Sequence, residues 1–195
     1  MGFGMPGEYT LRKLTESKWL NLYEADYMDK KGRRRKWTIA SRKSRPIADA
    51  DKPDAVVIVP VIDAPDGKKL VVTKEFRVPI WDYEYGFPAG LIEEGQTIEN
   101  AVAEELRQET GLEVIKIKHI SSPVYSSSGM TDESACMVFV EAKGRVSDEH
   151  LEDGERIETL LMDVDDVEQL LCSGKKISGK AWGVLHHYAR TGEVF

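Results

Sequence analysis

Two glutamates four residues apart are the side chains in this sequence with the clearest capacity for chemistry. Thr97 and Gly111 suit the two ends of a helix, and on that helix Glu105 and Glu109 lie one turn apart on the same stripe. Like charges at this spacing repel each other by a few tenths of a kcal/mol. A bound cation would offset the repulsion, and Mg2+ prefers carboxylate oxygens. The spacing therefore predicts a metal site on one face of the helix.

The segment around this pair resembles the signature of a known enzyme family. Gly90–Leu112 reads GLIEEGQTIENAVAEELRQETGL, which resembles the Nudix box, G-x5-E-x7-R-E-U-x-E-E-x-G-U with U aliphatic. The resemblance implies that Glu105 and Glu109 are catalytic metal ligands for Mg2+, with Mn2+ as an alternative ion, and that the backbone carbonyl of Ala89 also contacts metal. The matching positions are Gly90, Glu105, Leu106, Glu109, Gly111 and Leu112.

Three positions depart from the box. Gln96 and Glu104 stand where the family has a Glu and an Arg, which form a structural salt bridge between loop and helix. We expect the Gln96 amide to donate a hydrogen bond to the Glu104 carboxylate instead. Gln108 replaces a glutamate and removes one metal-ligating charge, so we expect fewer ions or weaker metal affinity.

The chain around the box is similar to the ADP-ribose and ADP-sugar pyrophosphatase subfamily. The segment LVVTKEFRVPIWDYEYGFPAGLIEEG resembles the subfamily pattern, a strand ending in QFR or QYR that is followed by E-x-P-A-G-L. The segment KWLNLYEADYMDKKGRRRKWTIASR is similar to the N-terminal extension of animal-type ADP-sugar pyrophosphatases. With SGMTDE and EDGERIE, the similarity covers most of Lys18 to Val164.

This resemblance implies how the substrate is held. Trp19 and Trp37 match two tryptophans that sandwich adenine, and stacking of this kind contributes about 1–3 kcal/mol per base. Arg77 matches an arginine that contacts the diphosphate, which a guanidinium fork suits. The alternatives are hairpin tryptophans that pack on the domain and an ordinary surface arginine. The further substrate-binding positions implied are Arg42, Asp54, Gly90 and Met130.

The general base is expected on an acidic loop after the box. The family places it on a mobile loop, and the EDGE segment aligns Glu155 with that position. Glu152 and Asp153 compete with it, and the alternative for each is a solvated acidic loop. The base would take a proton from a metal-held water as the water attacks phosphorus.

Apolar and β-branched runs predict the elements that position these residues. Ala55–Ile62 should be a strand buried on both faces, and Leu70–Arg77 should return after the turn at Pro65-Asp66-Gly67. The expected class is α/β, and the resemblance implies a Nudix α/β/α sandwich with a mixed β-sheet and an N-terminal β-strand extension. The later elements predicted are strands Val114–Ile120, Ala135–Ala142 and Thr159–Val164, and helices Asp165–Leu171 and about Gly179–Arg190.

The extension is predicted to be a separate part of the chain. Lys18–Tyr27 and Trp37–Arg42 should form two strands around a turn, and the polar segment Lys43–Pro53 resembles a linker. We therefore divide the chain into residues 1–50, the β-extension, and 51–195, the hydrolase domain. In the subfamily the extension exchanges between two subunits, so the resemblance implies a homodimer in which it serves dimerisation and adenine recognition.

Composition and charge limit the kinds of partner that the protein can have. The net charge of −7 argues against a broad nucleic-acid surface. No apolar run approaches the roughly 20 residues that cross a bilayer, and no secretory signal is seen, so we expect no membrane partner and a cytoplasmic location. Cys136 and Cys172 lie in apolar segments without metal or redox spacing, and we expect both thiols to be buried.

These patterns predict Mg2+-dependent hydrolysis of the pyrophosphate of ADP-ribose, or of another ADP-sugar, to AMP and a sugar phosphate. One alternative is a Nudix hydrolase for another nucleoside diphosphate derivative, such as a different sugar nucleotide or NADH, and 8-oxo-nucleotide cleansing is a further one. The other alternative is a non-catalytic nucleotide-sugar-binding domain, which is motivated by the departures at Gln96, Glu104 and Gln108.

Overall fold

The protein is described by a computed structural model that covers residues 8–47 and 52–194. The chain divides into two compact units, Met1–Lys52 with Tyr125–Ser134 and Pro53–Val124 with Ala135–Phe195. The boundary that the sequence suggests, between residues 50 and 51, lies outside the described residues. The division at 50 and 51 therefore stays a prediction.

The first unit contains a three-stranded antiparallel sheet in the order β1–β2–β3. Its outer strand β1 was not predicted from the sequence. A tight turn joins β2 to β3, because the Asp29 carboxylate accepts the backbone N–H groups of Lys31 and Arg33 at 2.8 and 3.0 Å and Gly32 takes a φ of 71°. The strands are β1 (Tyr9–Lys13), β2 (Asn21–Met28) and β3 (Arg34–Ser41).

The second unit is built on a mixed sheet, which in the described residues has nine strands. Its central path runs β12–β6–β5–β4–β10–β8; β11 also pairs with β5, β7 with β4 and β9 with β10. The β10–β4 and β12–β6 pairs are parallel. The strands are β4 (Ala55–Ala64), β5 (Gly67–Arg77), β6 (Asp82–Gly86), β7 (Ala89–Leu91), β8 (Glu113–Ile120), β9 (Val124–Tyr125), β10 (Ser134–Lys143), β11 (Ile157–Met162) and β12 (Lys176–Ile177).

Helices cover both faces of this sheet. The helices are α1 (Ile98–Thr110), α2 (Val164–Cys172) and α3 (Gly179–Thr191). Along β4, Val56 and Ile58 pack with α1, whereas Val57 and Val59 face the core formed by α2 and α3. The strand is therefore buried on both faces, as its apolar sequence predicts, and the expected α/β sandwich with a mixed sheet is confirmed.

One prediction about the thiols is wrong. Cys136 is buried within β10, but Cys172 is exposed. On α2 the buried positions are Val167 and Leu170, and with 3.6 residues per turn Cys172 falls on the opposite side of the helix. Within the described ranges, no helix combines the length and apolar character needed to cross a bilayer.

Candidate active site

Helix α1 places Glu105 and Glu109 on the side that faces the sheet. The Thr97 hydroxyl accepts the N–H of Asn100 at 3.2 Å and begins the helix, and Gly111 ends it in the left-handed conformation with a φ of 74°. Glu109 is only 5% exposed, while Glu105 is half-buried. Both predicted caps are confirmed. They set the two ends of the helix, and so they determine where Glu105 and Glu109 lie on it.

The strand before the helix meets these carboxylates directly. The Ala89 N–H donates to Oε2 of Glu109 at 3.2 Å. A Cβ atom added to Gly90 would coincide with the carboxylate of Glu105, so any larger residue would displace that group. Asp54, another predicted site residue, holds the same turn, because its carbonyl accepts the N–H of Ile92 at 2.9 Å.

The predicted hydrogen bond between loop and helix is present where the box has a salt bridge. Nε2 of Gln96 donates to Oε2 of Glu104 at 3.0 Å, as the sequence predicts. Oε1 of the same Gln96 accepts the N–H of Glu93 at 3.0 Å. One amide therefore ties the turn of the loop to α1, and the loop conformation does not require the arginine of the box.

The carboxylates share a buried, negatively charged environment. Burial raises the pKa of Glu109 to about 9, and the charges of Glu75 and Glu105 add to that rise. Burial likewise raises the pKa of Glu105 to about 7, with further contributions from Glu155, Glu104 and Glu152. Because charging these groups without a counter-ion is unfavourable, the cluster is suited to bind a cation.

The donor set fits a hard divalent ion. Carboxylate and carbonyl oxygens are the ligands that Mg2+ takes from proteins, and it keeps water and substrate oxygens in its shell. Among residues 8–47 and 52–194, no three His, Cys, Asp or Glu side chains are gathered as ligands of one ion. Glu105, Glu109 and the carbonyl of Ala89 would therefore be completed by water and phosphate oxygens.

Glu75 is a member of this cluster that the sequence did not reveal. It lies on β5 opposite Ile157 of β11, and burial raises its pKa. Its carboxylate binds Nη1 of Arg77 at 2.6 Å, and Nε of Arg77 lies 3.8 Å from Glu84. The predicted diphosphate-binding arginine is therefore held at the acidic cluster by a residue of its own strand.

The acidic loop after β10 reaches the same cluster through Glu155. The negative charge of Glu155 raises the pKa values of Glu75, Glu105 and Glu109. That of Glu152 contributes to the pKa of Glu105. Oε2 of Glu155 accepts the N–H of Glu152 at 2.9 Å, which closes the loop on itself. Of the three candidate bases, Glu155 interacts most widely with the carboxylates of α1 and β5.

A second set of predicted residues is gathered within the first unit. The segment Tyr125–Ser134 lies along β3, where the Ala40 N–H donates to the Met130 carbonyl at 2.9 Å. Nε1 of Trp37 donates to the Gly129 carbonyl at 3.1 Å, and Nε of Arg42 lies 3.4 Å from Oε2 of Glu133. Trp37, Arg42 and Met130 are thus brought to one strand, and the ring of Trp37 remains 50% exposed.

The two tryptophans lie at different places along this sheet. Trp19 precedes β2 by two residues and is 65% exposed, with Nζ of Lys18 4.3 Å from its ring centre. Trp37 pairs with Ala25, the fifth residue of β2, which is about 13 Å along the strand from Asn21. Within one chain, the register therefore separates the two rings along the β2–β3 ribbon.

Comparison with known proteins identifies the family. The NUDIX domain model matches residues 51–180. The chain is 29% identical over 185 residues to the ADP-ribose pyrophosphatase of Saccharomyces cerevisiae, covering 89% of this chain and 78% of that one. It is 31% identical over 143 residues to the ADP-sugar pyrophosphatase of Mus musculus, covering 71% and 64%. A crystal structure of an ADP compounds hydrolase shares the fold, with a TM-score of 0.74 at 15% identity and full coverage of both chains.

Proposed function

Because this chain belongs to the Nudix family and is a hydrolase of that family, we propose that it cleaves the pyrophosphate of ADP-ribose, or of a closely related ADP-sugar, with Mg2+ as the metal ion. The products would be AMP and a sugar phosphate, ribose 5-phosphate in the case of ADP-ribose. The names of the yeast and mouse relatives support this substrate class.

One arrangement carries the proposal. The Glu109 carboxylate accepts the Ala89 N–H, and the Glu105 carboxylate occupies the space that the missing side chain of Gly90 leaves open. Two acidic groups thereby converge on the backbone of one turn, in a cluster whose pKa values are raised by burial and by mutual repulsion. Glu105 and Glu109 would hold a cation here, which would neutralise their charge and would polarise a phosphate oxygen.

The other residues of the second unit have roles that match this chemistry. Arg77 presents a planar guanidinium to diphosphate oxygens, for which its fork is suited. Glu155 accepts the proton of the water that attacks phosphorus, the P–O bond of the pyrophosphate breaks, and AMP departs as a phosphate monoester.

The first unit supports recognition of adenine. Trp37 and Trp19 present half or more of their surface to solvent, and flat indole rings bind a base by stacking. Since the register separates them along the ribbon, a sandwich of one base between both rings requires a tryptophan from each of two chains. We therefore propose a homodimer in which the adenine pocket is shared.

The decisive experiment measures AMP release from ADP-ribose during a titration with Mg2+, for the wild type and for Glu109→Gln. We expect rapid turnover that the substitution abolishes. Glu99→Gln is the matched control, because Glu99 is an exposed glutamate in the first turn of the same helix, and it should retain wild-type turnover.

The other outcomes are equally informative. ADP-ribose that binds without turnover at any Mg2+ or Mn2+ concentration would reject the enzymatic proposal in favour of a nucleotide-sugar-binding domain. A preference for NADH or for a guanine nucleotide across a substrate panel would overturn the ADP-sugar assignment and leave the hydrolase intact.

A further inference from the structure

We propose that Glu75 is a positioning residue of the cation site. From β5 it supplies a negative charge that the neutral Gln108 does not supply from α1, and it holds Arg77 beside the ion. The inference rests on the proposed function, because it assigns a role in the same cation site. It concerns a residue that lies outside the box and 33 positions before Gln108 in the sequence.

The strand register brings Glu75 under the end of α1. Oγ1 of Thr159 donates to the Glu109 carbonyl at 3.2 Å, and Thr159 pairs with Thr73 of β5. Glu75 is two residues further along β5, so it lies on the same face of the sheet and about 7 Å from Thr73. Val71, on that face as well, packs in the core that contains α1.

The charges in this site are exchanged relative to the family pattern. Gln108 is neutral where the box has a glutamate, whereas Glu75 is acidic where the subfamily strand end has a neutral glutamine. One acidic side chain of this site therefore lies on the sheet, where the box would place one on the helix.

The carboxylate of Glu75 has two oxygens and so can serve two partners. Oε1 accepts from Nη1 of Arg77 at 2.6 Å, which leaves Oε2 and the remaining lone pairs for water around the ion. Arg77 has a second carboxylate, Glu84, but at the longer distance of 3.8 Å. Glu75 is thus the residue that links the phosphate-binding guanidinium to the acidic cluster, and it acts through Arg77 and water rather than as a direct ligand.

The test measures Mn2+ binding without substrate, by electron paramagnetic resonance and by calorimetry, so that it does not depend on turnover. We expect Glu75→Gln to weaken Mn2+ affinity about tenfold, as the loss of a residue that supports metal ligands typically does. Glu84→Gln is the matched control, because it removes the other carboxylate at Arg77 and should change the affinity less than about twofold.

Rescue separates this role from a purely structural one. Gln108→Glu should tighten Mn2+ binding on its own and should restore most of the lost affinity when combined with Glu75→Gln. Unchanged affinity in Glu75→Gln, or no rescue by Gln108→Glu, would overturn the inference, and so would a wild-type chain that binds no Mn2+. AMP release from ADP-ribose is measured separately and reports on the proposed function. If the Mn2+ affinities of the variants change as expected but the wild type releases no AMP, only the proposed function is rejected.

Discussion

Glu109→Gln should make the metal-free protein more stable, by an amount that grows with pH. Glu109 is 5% exposed, and burial, with the charges of Glu75 and Glu105, raises its pKa from 4.5 to about 9. Below pH 4.5 the carboxyl is protonated in both the folded and the unfolded chain. Between pH 4.5 and 9 only the unfolded chain releases the proton, so the folded state loses stability as pH rises.

The size of the effect follows from the pKa. One proton released on unfolding changes the free energy of unfolding by about 1.4 kcal/mol per pH unit, and hence by about 4 kcal/mol between pH 5 and pH 8. Glutamine has a similar shape, can accept the same Ala89 N–H and does not ionise. Because Glu105 is present in both proteins, its own titration largely cancels from the difference between wild type and variant.

The assay is thermal unfolding after dialysis against a chelator, from pH 5 to pH 8. For a chain of this length, about 4 kcal/mol corresponds to a Tm difference of roughly 8–16 °C at pH 8, whereas the two proteins should unfold closer together at pH 5. Added Mg2+ should raise the Tm of the wild type at pH 8, by about 2.7 kcal/mol of stabilisation at one hundred times its Kd, and should leave the variant nearly unchanged. A stability difference that does not depend on pH would refute the assignment of a buried, proton-retaining carboxyl.

Three further outcomes are expected. Gly90→Ala should lower kcat and Mg2+ affinity about tenfold or more, because its Cβ would displace the Glu105 carboxylate. The control Gly183→Ala lies at an open position of α3. It should stabilise the protein by up to about 1 kcal/mol and should change neither kcat nor Mg2+ affinity. Trp37→Ala should raise the KM for ADP-ribose by about tenfold with little change in Tm, since stacking on a base contributes about 1–3 kcal/mol. Trp182→Ala removes a ring that is 51% exposed on α3 and should leave the KM unaltered. Equal effects of the two substitutions on the KM would contradict the adenine assignment. Labelling of the native protein should give one fast-reacting thiol per chain, Cys172, and two fast thiols would contradict the burial of the other cysteine.

Local patterns predicted the elements accurately where the deciding interactions are local. Helix α1 begins after Thr97 and ends before Gly111, as predicted, because a hydroxyl cap and a left-handed glycine act within one turn. The bond from Gln96 to Glu104 was also predictable, since it joins a loop to the helix that follows it. Cys172 was placed wrongly because an apolar run does not reveal which side of a short amphipathic helix a residue occupies.

The sequence by itself determined the α/β class, the family and the pair Glu105 and Glu109, because helical period and motif spacing are properties of consecutive residues. Only the tertiary structure decided that Glu75 binds Arg77 and lies near enough to Glu109 for its charge to raise the pKa of that carboxyl. It alone also decided that Glu155 interacts with the same carboxylates. These residues come from β5 and from the loop before β11, and the pairing of those two strands brings them to α1. Strand pairing joins positions more than eighty residues apart, and the register that aligns them is set by burial of the sheet faces rather than by any local signal.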